Sequence, residues 1–130
     1  MKTRTFWSVV TLGLVLMVAS VCAHSSTDTD EPVRTMATIL VDLHHYPSDE
    51  EKRILRRIAD DSSIDQAERT IAVAMINLKH HATAADKQRL QEVMHDGSVS
   101  SEVRDLARIV HDLAHQPSAA DKKRLRQMIE

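Results

Sequence analysis

Apolar residues recur along this chain with helical spacing, in six blocks that follow an apolar start. Three shorter blocks carry one stripe each: Leu55-Ile58-Ala59, Leu90-Val93-Met94 and Leu125-Met128-Ile129. Their other faces are polar, as Glu50, Arg53 and Arg57 or Lys87, Gln91 and Glu92 illustrate. Three longer blocks alternate with them. Val33-Met36-Ala37-Leu40 forms the first and Val103-Leu106-Ala107-Val110 the last. The middle one, Ile71-Ala72-Val73-Ala74-Met75-Ile76, is apolar on every side, as a helix with neighbours on most sides must be. No stretch alternates as a strand would. The pattern predicts an all-α domain, with longer helices over 32–45, 64–81 and 99–115 and shorter ones over 49–60, 84–95 and 119–130.

The six blocks fall into three segments of thirty-five residues. His45, His80 and His115 align, as do Ser48, Thr83 and Ser118, then Lys52, Lys87 and Lys122, then Leu55, Leu90 and Leu125. A fixed period of this length points to stacked supersecondary units, each too small to bury its apolar face alone. Three helical hairpins are expected, arranged as a short α-solenoid or as a compact helical bundle, with loops of about two to four residues.

Polar punctuation agrees with these boundaries. Ser48 with Glu51, Thr83 with Asp86 and Ser118 with Asp121 form capping boxes before the shorter helices. Asp28 or Asp30, Ser63 and Ser98 are N-cap types before the longer ones, each contributing ~1 kcal/mol. Pro47 and Pro117 follow two of the longer helices, because the residue before proline is pushed out of helical geometry. Pro32 suits a first helical turn, where its missing N–H costs nothing.

Arg34, Arg69 and Arg104 stand at matching positions, each followed three residues later by Ala37, Ala72 or Ala107. The run from Asp96 to Arg104, leading into Leu106-Ala107, resembles the start of the second helix of HEAT-like repeats. The resemblance implies a right-handed solenoid whose concave face binds other proteins. The proline usual in the first helix of that family is missing here.

The chain's start has a separate reading. Lys2 and Arg4, then an apolar run from Phe6 to Ala19, then Val21-Cys22-Ala23, have the three regions of a secretory signal peptide, cleaved after Ala23. The run is shorter than the ~20 residues of a spanning helix. Lipidation at Cys22 is the lesser alternative, since Val21 is a poor residue directly before an acylated cysteine. The expected organisation is a signal peptide over 1–23, a polar leader over 24–30 and a helical domain over 31–130. The protein is then periplasmic or secreted, with membrane contact only through the signal peptide before cleavage.

Cleavage removes Cys22, Phe6 and Trp7, leaving no cysteine for disulfides and Tyr46 as the one aromatic of the Phe, Trp and Tyr set. Losing Lys2 and Arg4 takes the formal charge from −2 to −4. An acidic chain without stacking aromatics is unsuited to nucleic acid. The mature chain holds one glycine, Gly97, so no phosphate-cradling loop is possible, and no nucleophile elbow or zinc-protease helix appears. No catalytic residue and no cofactor is expected.

All eight histidines lie beyond Ala23. A metal ladder through His45, His80 and His115 is disfavoured for a row of helices. Neighbours lie ~8–10 Å apart, whereas imidazole ligands must each reach ~2 Å from one ion. His111 and His115 have the i, i+4 spacing of a two-ligand helical site, with Asp112 near, and are the candidate metal residues. A helix-end role, in which the rings complement the negative end of the dipole, explains most of the histidines. Sensing of pH is a further use of such a cluster.

The favoured function is therefore an exported protein-interaction module with a protein partner. Its docking rows would be Arg34, Arg69 and Arg104 or Lys52, Lys87 and Lys122. The alternative is a histidine-rich metal-binding or pH-responsive protein. Amino-terminal sequencing of the exported protein is expected to begin at His24; an acylated start at Cys22 would replace that reading.

Overall fold

A computed structural model describes residues 30–130. The expected signal peptide, Cys22 and the leader up to residue 29 lie outside the described residues. Among the described residues the chain is all-helical: α1 (Asp30–Val41), α2 (Asp49–Asp60), α3 (Gln66–Ile76), α4 (Ala84–His95), α5 (Ser101–Asp112) and α6 (Ala119–Ile129). None of these helices is long and apolar enough to cross a membrane.

Helices α2, α4 and α6 start where their capping chemistry places them. The Ser48 hydroxyl accepts from the Glu51 N–H at 3.3 Å, and the Glu51 carboxylate accepts from the Ser48 N–H at 2.7 Å. Ser118 and Asp121 repeat the box at 3.2 and 3.3 Å. The third cap differs. Thr83 accepts from the Asp86 N–H at 3.1 Å, but the Asp86 carboxylate is buried. It accepts from the Thr83 hydroxyl at 2.6 Å, the Asn77 amide at 3.2 Å and Arg89 at 3.2 Å. Three donors offset the cost of taking that carboxylate out of water.

The expected difference in length is absent: all six helices span 11 or 12 residues. Of the set expected to be longer, α3 and α5 start late and stop early, whereas α1 starts two residues early and is cut short only at its carboxyl end. Ser63 and Ser98 are not the caps. Each donates its backbone N–H and its hydroxyl to the aspartate two residues earlier, Asp61 or Asp96, at 2.6–2.9 Å. Those serine hydroxyls, and then the backbone N–H groups, hold both carboxyls below the ordinary carboxylate range. The helices begin after Asp65 and Ser100 instead, the latter accepting from the Val103 N–H at 3.3 Å.

At their carboxyl ends the long helices stop at Val41, Ile76 and Asp112, so the expected histidine-ended helices do not form. Leu43, Leu78 and Leu113 turn inward there and are buried. Burying a leucine stabilises by about 1.5–3 kcal/mol, more than the few tenths per residue by which Asp, His or Asn differ in helix propensity. Connections of five to seven residues result, longer than expected.

Helix pairing also departs from the sequence order. Each short helix packs most extensively on the long helix that follows it, α2 on α3 and α4 on α5. α6 packs equally on α1, so the two ends of the described chain lie together. There the Arg34 guanidinium donates to the Ile129 carbonyl at 2.8 Å. The three long helices also touch one another pairwise. Met36, Leu40, Ile71, Met75, Leu106 and Ile109 from these helices and Leu55, Leu90 and Leu125 from the short ones are fully buried in a single core.

Leu125→Ala is expected to cost about 2–5 kcal/mol in urea unfolding, because it opens a cavity where α6 meets the core. Ser118→Ala is expected to cost only about 1 kcal/mol, the worth of the cap it removes.

Candidate functional site

His45, His80 and His115 leave the chain just past the ends of α1, α3 and α5. Because those helices adjoin one another, their following loops converge, and the three rings meet. Ring centroids lie 5.4 Å apart for His45 and His80, 6.1 Å for His45 and His115, and 5.1 Å for His80 and His115. This overturns the expectation that equivalent rings would stay a helix spacing apart. That expectation assumed a row of helices, whereas α1 lies against both α3 and α5.

The backbone beneath the rings is specific. His80 and His115 both have φ 72°, and they are the non-glycine residues with positive φ among the described residues. Such a conformation costs an L-residue of order 1 kcal/mol or more, although histidine tolerates it better than most. His115 sits at the centre of a γ-turn closed from the Gln116 N–H to the Ala114 carbonyl at 2.9 Å. The His115 N–H donates to the His80 carbonyl at 2.7 Å, which ties the two loops together. All three histidines are exposed. Tyr46, the large exposed apolar side chain beside them, stands edge-on to His80 at 6.5 Å, and the Lys52 ammonium lies 5.5 Å from the Tyr46 ring.

The rings stand edge-to-face or tilted, at interplanar angles of 68°, 74° and 46°. In these rotamers no group of three His, Cys, Asp or Glu among the described residues is arranged around one point as metal ligands are. The ring separation itself matches a three-histidine site. With nitrogens ~2 Å from an ion, ring centroids lie ~3 Å from it and roughly 5 Å from each other.

α5 ends at Asp112, so His111 and His115 do not share one helix as their i, i+4 spacing assumed. The His111 ring instead meets the Asp112 carboxylate at 2.7 Å and the Gln91 amide at 3.3 Å, one partner per nitrogen, linking α5 to α4. The His95 ring bonds the Gln91 carbonyl at 2.7 Å. The cationic rows are likewise partly engaged. Arg34 caps the last turn of α6, and Arg69 donates to Gln66 at 2.8 Å. Arg104 is half-buried, as are Lys52, Lys87 and Lys122.

A second feature lies at the amino-terminal ends of the long helices. A cavity of about 980 Å³ is lined by Val33, Glu68 and Val103, one from each. These three positions are thirty-five residues apart, so a carboxylate stands where the other two segments have valine. Glu68 is 3 % exposed and its Oε1 has no hydrogen-bond partner. Burial, and then the nearby Asp65 charge, push its pKa up to about 7, against a hydrogen bond from the Asp65 backbone; Asp30 adds to the rise. The signal was present in the sequence as a break in the segment alignment, but only burial gives that break a meaning.

The sign of the pH effect follows. Folded Glu68 keeps its proton to about pH 7, whereas the unfolded group loses it near 4.5. Folding therefore weakens as pH rises through that window, and the whole loss is present above it. Glu68→Gln is expected to match the wild type in stability near pH 4. At pH 8 it should be more stable by on the order of 3 kcal/mol, read by urea unfolding at both pH values.

No protein-family model, curated protein or solved structure matches this chain significantly.

Proposed function

We propose that this chain is an exported protein that reversibly binds one transition-metal ion of the zinc, copper and nickel class through His45, His80 and His115. In this reading the three segments are copies of one helical hairpin unit. Contact of α1 with α6 gathers their loops at one end. The observation that supports the reading is the mutual separation of the three rings, 5.1–6.1 Å.

The chemistry suits those ions. Neutral imidazole is a good ligand for Zn, Cu and Ni, and poor for Mg or Ca, which take oxygen ligands. Three histidines leave coordination positions open to water or to another ligand, as in exchangeable sites. Exposure of the rings favours uptake and release over permanent retention. The φ of 72° at His80 and His115 adds support, since glycine would hold that backbone without strain.

Protein docking through the arginine and lysine rows has less behind it. Arg34 and Arg69 are bonded within the fold, and Lys52 lies over Tyr46. The concave face that the HEAT-like resemblance implied is not favoured by α1 lying on α6.

Calorimetric titration of the mature chain with zinc, copper(II) and nickel salts is expected to show one saturable site for at least one ion. At a hundredfold excess over Kd the ion should stabilise by about 2.7 kcal/mol, which raises Tm by roughly ten degrees or more for a domain of this size. His80→Asn retains a residue that accepts positive φ and is expected to abolish the site, as is His45→Ala. His95→Ala, outside the trio, should leave it intact. Absence of a stoichiometric site, or affinity indifferent to all three trio positions, overturns the proposal.

A further inference from the structure

The cavity at the other end of the long helices has a character that the metal reading does not absorb. Its volume, about 980 Å³, far exceeds what a bare ion fills, and no three ligand side chains among the described residues are arranged to hold one. Valines form part of its wall, with Val33 and Val103 flanking Glu68. Six carboxylate side chains line it, among them Glu68, Asp30, Asp65 and Glu102. Against these stands one cation, Arg89, whose guanidinium is already paired with Asp86 at 3.2 Å.

Most of those carboxylates have local explanations. Asp65 is the N-cap residue of α3, and Asp30 and Glu102 lie in first helical turns, where the helix dipole favours negative charge. Glu68 is different. A first-turn glutamate normally keeps its carboxylate in water, yet this one is buried with Oε1 unpartnered. Valine serves the same position in the two other long helices, so packing does not require an acid. A buried, unpaired carboxylate costs stability unless something completes it.

We propose that this cavity is a binding site for a small aliphatic polyamine, with Glu68 as the counter-ion of one ammonium group. The methylene chain lies along the valine walls. One ammonium pairs with Glu68 at the inner end, and the others meet the carboxylates at the mouth, such as Asp30 and Glu102. Oε1 lies beneath the surface, so the Glu68 side chain turns toward the cavity when the ligand enters. The charge-assisted N–H···O bond it then makes distinguishes this site from a merely acidic surface. Binding also requires the ionised form of Glu68. Its carboxyl, raised to about 7 by burial and by Asp65, must therefore give up a proton when the ligand enters near neutral pH. The other charged groups around it are Asp30 from α1, Glu92 and Arg89 from α4, Asp96 before α5 and Glu102 from α5, with Glu31 and Asp61 beside it in an adjoining pocket.

Isothermal titration of the mature chain with spermidine in 150 mM salt, at pH 7 in two buffers of different ionisation enthalpy, tests the site. Saturable binding is expected, with proton release of up to about half a proton per ligand seen as a buffer-dependent heat. 1,4-Butanediol, which lacks charge, should not bind. Glu68→Gln and Glu68→Val are expected to fold, to weaken spermidine tenfold or more and to abolish the proton release. His80→Asn should leave spermidine binding unchanged, which keeps this proposal separable from the metal site. The proposal is overturned by lack of saturable binding at that salt, by equal affinity in the two Glu68 variants, or by heats that do not depend on buffer.

Discussion

The contact of α1 with α6 is the constraint on which the rest depends. Without it, the three short helices would lean on their neighbours in a line. The first long helix would then lack the cover that α2 gives α3 and α4 gives α5. With it, each long helix has a short helix laid along it and both other long helices beside it. The apolar residues of α1, α3 and α5 then share one core, including Met36, Ile71 and Leu106. The Arg34 bond to the Ile129 carbonyl completes the junction by satisfying an acceptor at the end of α6.

Both candidate sites follow from that arrangement. Long helices that adjoin one another bring their carboxyl-terminal loops to one place and their amino-terminal turns to another. Leu43, Leu78 and Leu113 seal the core at the first end by turning inward, and the residues two further on point their rings outward into one cluster. At the second end Ile64 and Val99 pack against the core but are only partly buried. Val33, Glu68 and Val103 border an open cavity, and one buried carboxylate replaces what packing alone would make apolar. The chain carries stability costs at both ends: positive φ under two histidines, and an unpaired oxygen on Glu68. Local rules broken without a compensating contact are where function is reasonably sought.

Much of the fold was legible beforehand, and the reason is local. Helices α2, α4 and α6 begin after Ser48, Thr83 and Ser118 because each hydroxyl satisfies a backbone donor three residues on, joined at Ser48 and Ser118 by a carboxylate that reaches back. Such interactions need no distant partner, so a linear pattern reveals them. Ser63 and Ser98 look like caps, but a competing bond to Asp61 or Asp96, only two residues back, takes them. The carboxyl ends were misjudged where a distant partner decided. The segments 42–45, 77–81 and 113–115 look like helix ends, but burial of their leucines outweighs another helical turn. The i, i+4 spacing of His111 and His115 assumed a helix that stops at Asp112.

The sequence by itself determined that the described chain is helical, that it has six helices, and where α2, α4 and α6 start. Those properties come from periodicity and capping, which act over four residues or fewer. Only the tertiary structure decided which helix lies on which, that His45, His80 and His115 meet, and that Glu68 is buried where Val33 and Val103 are. Apolar stripes are non-directional: each says that a face must be covered and not by what. The choice of α1 as the partner of α6, and with it the whole geometry of both ends, is made by the joint packing of all six helices.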